Sequence, residues 1–162
     1  MTANAGPAPC AAASPEMCKC GYPSVEGAFD ESRIVFSGVV LEVQNVPRAV
    51  PIEPARTDSV GNVVVTGGGS SEQRVTFRVT RGWKGARPGD IVTVWDVFVC
   101  GVTFRPGEEY LVYAYPREDG ALFTSPCQRT RVISPPGPYD FRLPPTGEDV
   151  AVLDSIVHAR RP

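Results

Sequence analysis

Five cysteines carry most of the chemistry available to this sequence, and they are Cys10, Cys18, Cys20, Cys100 and Cys127. Two of them stand one residue apart in the stretch MCKCGYP, shortly ahead of a segment with the pattern of a first strand. Alternate side chains of an extended segment point to the same side. Cys18 and Cys20 can therefore face one surface together, as ligands of a metal ion, as a redox pair or as the ends of two disulfides.

The spacing of the thiols favours disulfides over the other two arrangements. Structural zinc sites usually space paired thiolates by two to four residues, whereas Cys100 and Cys127 stand far apart. Redox pairs usually have two residues between the cysteines and a helix N-terminus that lowers the thiol pKa. Two disulfides leave one thiol over, and Cys10 in the N-terminal tail is the natural candidate for it. A zinc site remains the alternative at this point.

Little else in the sequence resembles catalytic chemistry. No Gly-x-Ser-x-Gly, phosphate-loop or dinucleotide-binding motif occurs. The one histidine, His158, falls in the last turn of a predicted terminal helix, where a solvated imidazole interacts favourably with the helix dipole. We therefore predict that the protein is not an enzyme and uses no cofactor.

Length and charge narrow the class of partner. A chain of 162 residues predicts one domain that can bury a core. The net charge of −2 at pH 7 argues against a nucleic-acid partner, which needs a basic surface. The one basic cluster near aromatic residues is short and consists of Arg78, Arg81, Lys84 and Arg87. No apolar run is long enough for a membrane-spanning helix. We expect a protein partner and a monomer, with a Cys10-linked dimer as the alternative.

The chain divides into three parts by composition. Residues 1–17 have the character of a disordered tail or of the remnant of a signal peptide cut after Ala13. Residues 18–133 form the predicted barrel domain, and residues 134–162 form a proline-rich connector and a terminal helix. Together with the cysteine pattern, this organisation predicts a secreted protein, extracellular or periplasmic.

The elements that must position the cysteines are mostly short strands. A helical turn is predicted at 24–32, and strands are predicted at 33–43, 74–83, 91–99, 109–115 and 121–127. Alternation of apolar and polar residues indicates strands with one buried face, and Gly38 is the expected bend in the first of them. The succession predicts a mainly β fold, a small antiparallel barrel that is closed or nearly closed.

Two further segments complete the prediction. Between the first two long strands, residues 47–73 are rich in Pro, Gly and Ser and are expected to form an excursion with a strand at 63–65, either as a hairpin arm or as an apolar contact ridge. The terminal helix is expected to cover part of the barrel with one apolar face, formed by Val150, Leu153, Ile156 and Val157.

The order of several short motifs resembles the N-terminal, netrin-like domain of the tissue inhibitors of metalloproteinases. The motifs are Cys18-x-Cys20, Ala28-Phe29, Ile34-Val35, Trp83-Lys84-Gly85, Cys100-Gly101-Val102, Glu109-Tyr110-Leu111-Val112, and Asp119-Gly120 ahead of Cys127. They follow one another with similar gaps over about residues 18–130. The resemblance implies an OB-type barrel, with Cys18 paired to Cys100 and Cys20 paired to Cys127. The short chain would suit a bacterial relative of the family.

The resemblance also implies an inhibitory site. In the family, the α-amino nitrogen and carbonyl oxygen of the first cysteine chelate the catalytic zinc of the protease, and the next side chain enters the main specificity pocket. Carried over, the protease-binding edge consists of Cys18, Lys19, Cys20, Gly21, Tyr22, Phe98, Val99 and Cys100. The chain is expected to hold no metal of its own. Cys18 would ligate the zinc of the target protease once it is the N-terminal residue.

Three differences from the family bear on this function. Residues precede Cys18, and an amide nitrogen has no free lone pair for zinc, so chelation requires a chain that starts at Cys18. Lys19 replaces the small residue usual in the family, and an ammonium in an apolar pocket needs an acidic partner. Asp30 stands at the position of the family's third bridge, and residues 134–162 replace its C-terminal domain. We expect a secreted inhibitor of zinc metalloproteases; the alternative is a non-inhibitory netrin-like module that binds another extracellular protein.

Overall fold

The structure is a computed structural model, and it describes residues 21–48, 56–57, 59–61, 63–64, 70–97, 101–133 and 146–162. The fold is mainly β. Its helices are α1 (Val25–Glu31) and α2 (Thr146–Ala159), and a 3-10 turn covers Pro126–Gln128. Its strands are β1 (Ile34–Arg48), β2 (Arg56–Thr57), β3 (Val63–Val64), β4 (Ser70–Lys84), β5 (Ile91–Val97), β6 (Glu109–Pro116), β7 (Leu122–Phe123) and β8 (Arg131–Val132).

Five strands form a closed sheet in the order β1-β4-β5-β7-β6, because β6 pairs back onto β1. The predicted small barrel is therefore confirmed at the level of a closed, mainly β sheet with a C-terminal helix. The prediction of a wholly antiparallel barrel is wrong at one pair, since β5 and β7 run parallel where Trp95 lies opposite Phe123. Two chain reversals separate β5 from β7, so both strands run in the same direction when β7 inserts between β5 and β6.

The longest pairing joins β1 to β4, and it extends well beyond the predicted strands. Its register runs from Val35 opposite Lys84 to Arg48 opposite Ser70. The excursion that was predicted at 47–73 is therefore shorter, and within it β2 pairs antiparallel with β3. The strand predicted at 63–65 is found at Val63–Val64 as one arm of this small second sheet.

The expected bend at Gly38 coincides with an irregularity of the β1–β4 pairing. The register shifts between Ser37 and Gly38. A Cβ atom at position 38 would lie 2.9 Å from the carbonyl oxygen of Arg78, so only glycine lets the two backbones approach this closely.

Two apolar clusters hold the fold together. The first fills the barrel with the inward side chains of β1, β4, β5 and β6, including Val75, Phe77 and Val79 of β4. Within it, Phe77 packs edge-on against Phe36, with ring centroids 5.5 Å apart. Edge-to-face pairs of this kind add to the stability that burial alone supplies.

The second cluster lies between the outer side of the barrel and the two helices. It contains Phe29 of α1, Leu153 of α2, and Trp83 and Tyr113 of the barrel, and Leu153 has no exposed surface. The other three residues of the predicted apolar face of α2 pack against this cluster; they are Val150, Ile156 and Val157. The terminal helix is thus part of the folded core, as the sequence predicted.

Helix α1 begins where the sequence predicted a helical turn. The Ser24 side chain caps it by accepting a hydrogen bond from the Gly27 N–H at 3.0 Å, which satisfies one of the unpaired donors at the helix start. At the other end, the Ser32 N–H donates to the Ala28 carbonyl, and the chain enters β1 two residues later. This short helix therefore carries the chain from the N-terminal segment to the barrel.

Candidate functional site

The predicted protease-binding edge is described only in part. Gly21 and Tyr22 are both exposed and precede α1 without regular structure. Cys127 lies in the 3-10 turn. The other predicted members of the edge lie outside the described residues, as does Cys10; these are Cys18, Lys19, Cys20, Phe98, Val99 and Cys100. The described residues that flank these segments define the candidate site.

The parallel pairing of β5 and β7 decides where the flanking segments leave the barrel. Trp95 lies opposite Phe123, and the Thr124 N–H donates a hydrogen bond of 2.8 Å to the Trp95 carbonyl. Because the two strands run in the same direction, Val97 at the end of β5 and Thr124 directly after β7 lie at the same end of the pair. In the sequence, Val97 stands three residues before Cys100 and Thr124 three residues before Cys127.

The side chain of Asp96, near the end of β5, holds the loop that begins at Gly101 and leads to β6. This side chain is completely buried, and its Oδ2 atom accepts a hydrogen bond of 2.6 Å from the Val102 N–H. A charge-assisted hydrogen bond to a buried carboxylate is stronger than a bond between neutral groups. It ties the residue two places after Cys100 directly to the end of β5.

Tyr110 holds the remainder of the same loop. Its hydroxyl accepts a hydrogen bond of 3.0 Å from the Arg105 N–H and lies 2.9 Å from the Thr103 carbonyl and 2.8 Å from Glu108 Oε2. Burial, helped by the bond to Glu108, raises the pKa of Tyr110 to about 12, so the hydroxyl stays protonated. The loop between Gly101 and β6 is therefore attached to the barrel at two places.

Arg129 fastens the N-terminal segment to the same region. Its Nη1 atom donates a hydrogen bond of 3.1 Å to the carbonyl oxygen of Pro23, directly after Tyr22. Arg129 is 7 % exposed and has a φ angle of 70°, in the left-handed region that residues other than glycine rarely adopt. A buried residue held in this conformation requires strong contacts around it.

Those contacts come from Asp149 in the first turn of α2. Arg129 donates to both carboxylate oxygens, with Nε 2.9 Å from Oδ2 and Nη2 2.6 Å from Oδ1. Arg131 donates to Oδ1 at 3.0 Å and the Tyr113 hydroxyl to Oδ2 at 3.1 Å. Hydrogen bonding to Asp149 raises the pKa of Arg129, and burial followed by the nearby Asp149 charge raises that of Tyr113. Removing one member of such a buried group usually costs about 3–5 kcal/mol.

Two threonines connect Arg129 to the end of β5. Thr124 and Thr130 are buried, and their hydroxyl oxygens lie 2.6 Å apart. Thr124 Oγ1 donates to the Tyr113 carbonyl at 2.7 Å, and Thr130 Oγ1 accepts from the Tyr113 N–H at 2.9 Å. An unbroken series of hydrogen bonds and adjacent residues therefore runs across this end of the barrel. We call it the junction; its members are Pro23, Trp95, Asp96, Val102, Thr124, Arg129 and Thr130.

In the sequence, Cys127 stands between two junction residues, three residues after Thr124 and two before Arg129. It is half-buried. Cys20, its predicted disulfide partner, lies outside the described residues, so this pairing stays a prediction, as does the pairing of Cys18 with Cys100.

Asp96 and Arg129 of the junction, and Asp149, which binds Arg129, were not among the predicted site residues. Asp96 was detectable, because it is a lone acid in the apolar run VTVWDVFV, and such a residue is buried only with a partner. Arg129 and Asp149 gave no comparable signal, since each sits among other polar residues. Their importance depends on which segments meet in space.

Half of the predicted basic cluster is occupied by contacts with the two helices. Arg81 forms an ion pair with Asp154 of α2, and Lys84 Nζ donates to the Phe29 carbonyl at 2.8 Å at the end of α1. Arg78 and Arg87 are exposed. Two of the four basic groups thus stabilise the helices.

Among the described residues, no three His, Cys, Asp or Glu side chains are grouped so that they could hold a metal ion. A shallow cavity of about 320 Å³ lies at the other end of the barrel, lined by Arg33, Ile34, Gly85, Gly120 and Leu122. Within the part of the chain that is described, no helix is long and apolar enough to cross a membrane.

Neither the comparison with protein-family models nor the comparison with curated proteins found a match to this chain. The class that the fold itself defines is a mainly β domain with a closed five-stranded sheet and a packed C-terminal helix.

Proposed function

We propose that this protein is a secreted inhibitor of zinc metalloproteases, similar to the N-terminal domain of the tissue inhibitors of metalloproteinases. One observation supports it most: the junction fastens Pro23, Val102 and the turn of Cys127 to one end of the barrel. These residues flank the segments that the resemblance assigns to the protease-binding edge, residues 18–22 and 98–100. A rigid edge loses little conformational freedom on binding, which favours tight inhibition.

The strand order is consistent with the OB-type barrel that the proposal includes. A five-stranded closed sheet with one strand inserted out of sequence order fits the Greek-key barrel of that class. The proposal also includes two disulfides, Cys18 to Cys100 and Cys20 to Cys127. Each would tie the N-terminal segment to a chain that leaves the barrel beside the junction.

The proposed mechanism begins with a chain whose first residue is Cys18. Its free α-amino nitrogen and carbonyl oxygen bind the zinc of the protease and displace the zinc-bound water. Lys19 then enters the main specificity pocket, so proteases with an acidic group in that pocket are the preferred targets, because a buried ammonium needs a partner.

The test compares two forms of the full domain, one that starts at Cys18 and one with a single alanine ahead of it. The first form is expected to inhibit a zinc metalloprotease, and the second is expected to lose that inhibition because its nitrogen is an amide. Below the amine pKa of about 7.7–8.0, inhibition by the first form should weaken about tenfold per pH unit. Equal inhibition by the two forms would exclude the chelation mechanism.

The alternative is a non-inhibitory module that binds an extracellular protein through the tip of the β1–β4 hairpin. The observation in its favour is the second small sheet of β2 and β3 between these strands. Because Arg48 lies opposite Ser70, residues 49–69 can be replaced by an Asn-Gly turn without changing the register. If this alternative is right, the shortened protein keeps its fold and loses its partner, whereas an inhibitor keeps its activity.

A further inference from the structure

We infer that the C-terminal helix α2 positions the N-terminal segment, with Arg129 as the positioning residue between them. Arg129 contacts both parts at once: it donates to Asp149 of α2 through two nitrogens and to the Pro23 carbonyl through the third. The coupling itself depends only on these contacts. Its consequence for inhibition rests on the proposed function.

The geometry leaves Arg129 little freedom. The bidentate contact with Asp149 fixes the plane of the guanidinium group, and Asp149 is 1 % exposed in its side chain. With Nε and Nη2 taken by the carboxylate, Nη1 is the nitrogen that binds the Pro23 carbonyl. The position of that carbonyl therefore follows the position of Asp149.

The helix that carries Asp149 is itself anchored independently of this contact. Asp154, five residues later, accepts a hydrogen bond of 2.7 Å from Trp83 Nε1, and Leu153 is fully buried in the second cluster. Arg160 pairs with Asp30 of α1 at 2.9 Å. A firmly seated helix can serve as a reference point for the more exposed residues 21–24.

Two pairs of matched variants test this coupling in the full-length protein. Arg129→Lys keeps the charge but cannot contact Asp149 and Pro23 with a planar fork. Its control is Arg131→Lys, which alters another partner of the same carboxylate without touching Pro23. Asp149→Asn removes the carboxylate that accepts the two hydrogen bonds from Arg129. Its control is Asp154→Asn, which alters a different anchor of the same helix.

The measurement is the NMR order parameter of the backbone amides of Gly21, Tyr22 and Ser24. In the wild-type protein we expect rigid values of about 0.85, and in Arg129→Lys and Asp149→Asn values falling below about 0.6. Both controls are expected to keep the wild-type values. Unchanged values in Arg129→Lys, or an equal loss in its control, would overturn the inference. If one variant of a pair does not fold, the other pair gives the same decision.

A parallel measurement of protease inhibition separates this inference from the proposed function. If the form starting at Cys18 inhibits, Arg129→Lys should weaken inhibition on the order of tenfold, the usual effect of losing a hydrogen bond to a charged group. If the order parameters respond as expected but the wild-type form does not inhibit, the coupling stands and the proposed function fails. If the wild-type form inhibits but the order parameters do not respond, the proposed function stands and the coupling fails.

Discussion

Trp95 of β5 lies opposite Phe123 of β7 in the only parallel register among the described strands. Because this register is parallel, Val97 at the end of β5 and Thr124 directly after β7 lie at the same end of the barrel. In the sequence, Val97 stands three residues before Cys100 and Thr124 three residues before Cys127. The N-terminal segment reaches the same end because Arg129 binds the Pro23 carbonyl. A crowded end of this kind is stable only if its buried polar groups are paired.

Replacing Thr124 by valine should destabilise the protein by about 1–3 kcal/mol. The change keeps the shape of a fully buried side chain but removes its hydrogen bonds to the Tyr113 carbonyl and to Thr130. Urea unfolding followed by tryptophan fluorescence measures the free energy of unfolding. The control is Thr93→Val on the exposed side of β5, which should change stability by no more than about 0.5 kcal/mol. A similar effect of both variants would contradict the importance of the buried hydroxyl.

Two glycines should respond oppositely to alanine. At Gly82 a Cβ atom would lie 1.9 Å from the Ala86 carbonyl oxygen, so the turn after β4 must move, and we expect a loss of about 1–3 kcal/mol or more. At Gly147, in the first turn of α2, no atom of the described residues beyond its chain neighbours and the helix's own backbone lies within 4 Å of the added carbon, and we expect a gain of about 0.4–1 kcal/mol. The urea midpoints of the two variants measure these changes. A Gly82→Ala variant as stable as the wild-type protein would show that this turn is not packed as described.

Asp154 should make stability depend on pH below about 4. Hydrogen bonding to Trp83, and then to Arg81, lowers the pKa of Asp154 in the folded state. A lowered folded pKa stabilises the protein above the unfolded pKa of about 3.9, and this stabilisation is lost as the pH falls through the folded value. The Asp154 side chain is 43 % exposed, so we expect Asp154→Asn to cost about 1 kcal/mol or less at pH 7.

The check for Asp154 is a series of urea titrations of both proteins between pH 7 and pH 2.5. The difference in unfolding free energy should stay constant down to about pH 4 and shrink below it. A difference that persists unchanged to the lowest pH, or that grows there, would rule out the charge of Asp154 as its source.

Single-stranded DNA should not bind in a salt-dependent manner. Such binding needs several free basic groups along a groove, but Arg81 is paired with Asp154 and Lys84 with the carbonyls of Phe29 and Asp30. Fluorescence anisotropy of a labelled oligothymidine at low and high salt measures this directly. Binding that weakens steeply with added salt would contradict the prediction and would point to the exposed Arg78 and Arg87.

Several elements were predictable from local patterns. Alternating apolar residues indicated β4, a nearly continuous apolar run indicated β6, and the segment from Ser24 to Ser32 was predicted as the helical turn that contains α1. The spacing of Val150, Leu153, Ile156 and Val157 revealed the buried face of α2. These features depend on residues close together in the chain, because strand and helix periodicity are local properties.

The candidate site could not be derived in the same way. Period-two alternation shows that a strand has one buried face, but not which strand lies beside it or in which direction, so the parallel register of Trp95 and Phe123 came as a correction. Likewise, Arg129 and Asp149 are 20 residues apart, and no sequence pattern beside either residue indicates that the two form an ion pair. The sequence by itself indicated the long strands, the helices and the cysteine spacing, but it did not indicate β2 or β8, and the strand predicted at 121–127 is only Leu122–Phe123, followed by a 3-10 turn. Only the tertiary structure decided that Pro23, Asp96 and Arg129 meet at one barrel end, because burying a charge or pairing a strand depends on contacts between distant segments.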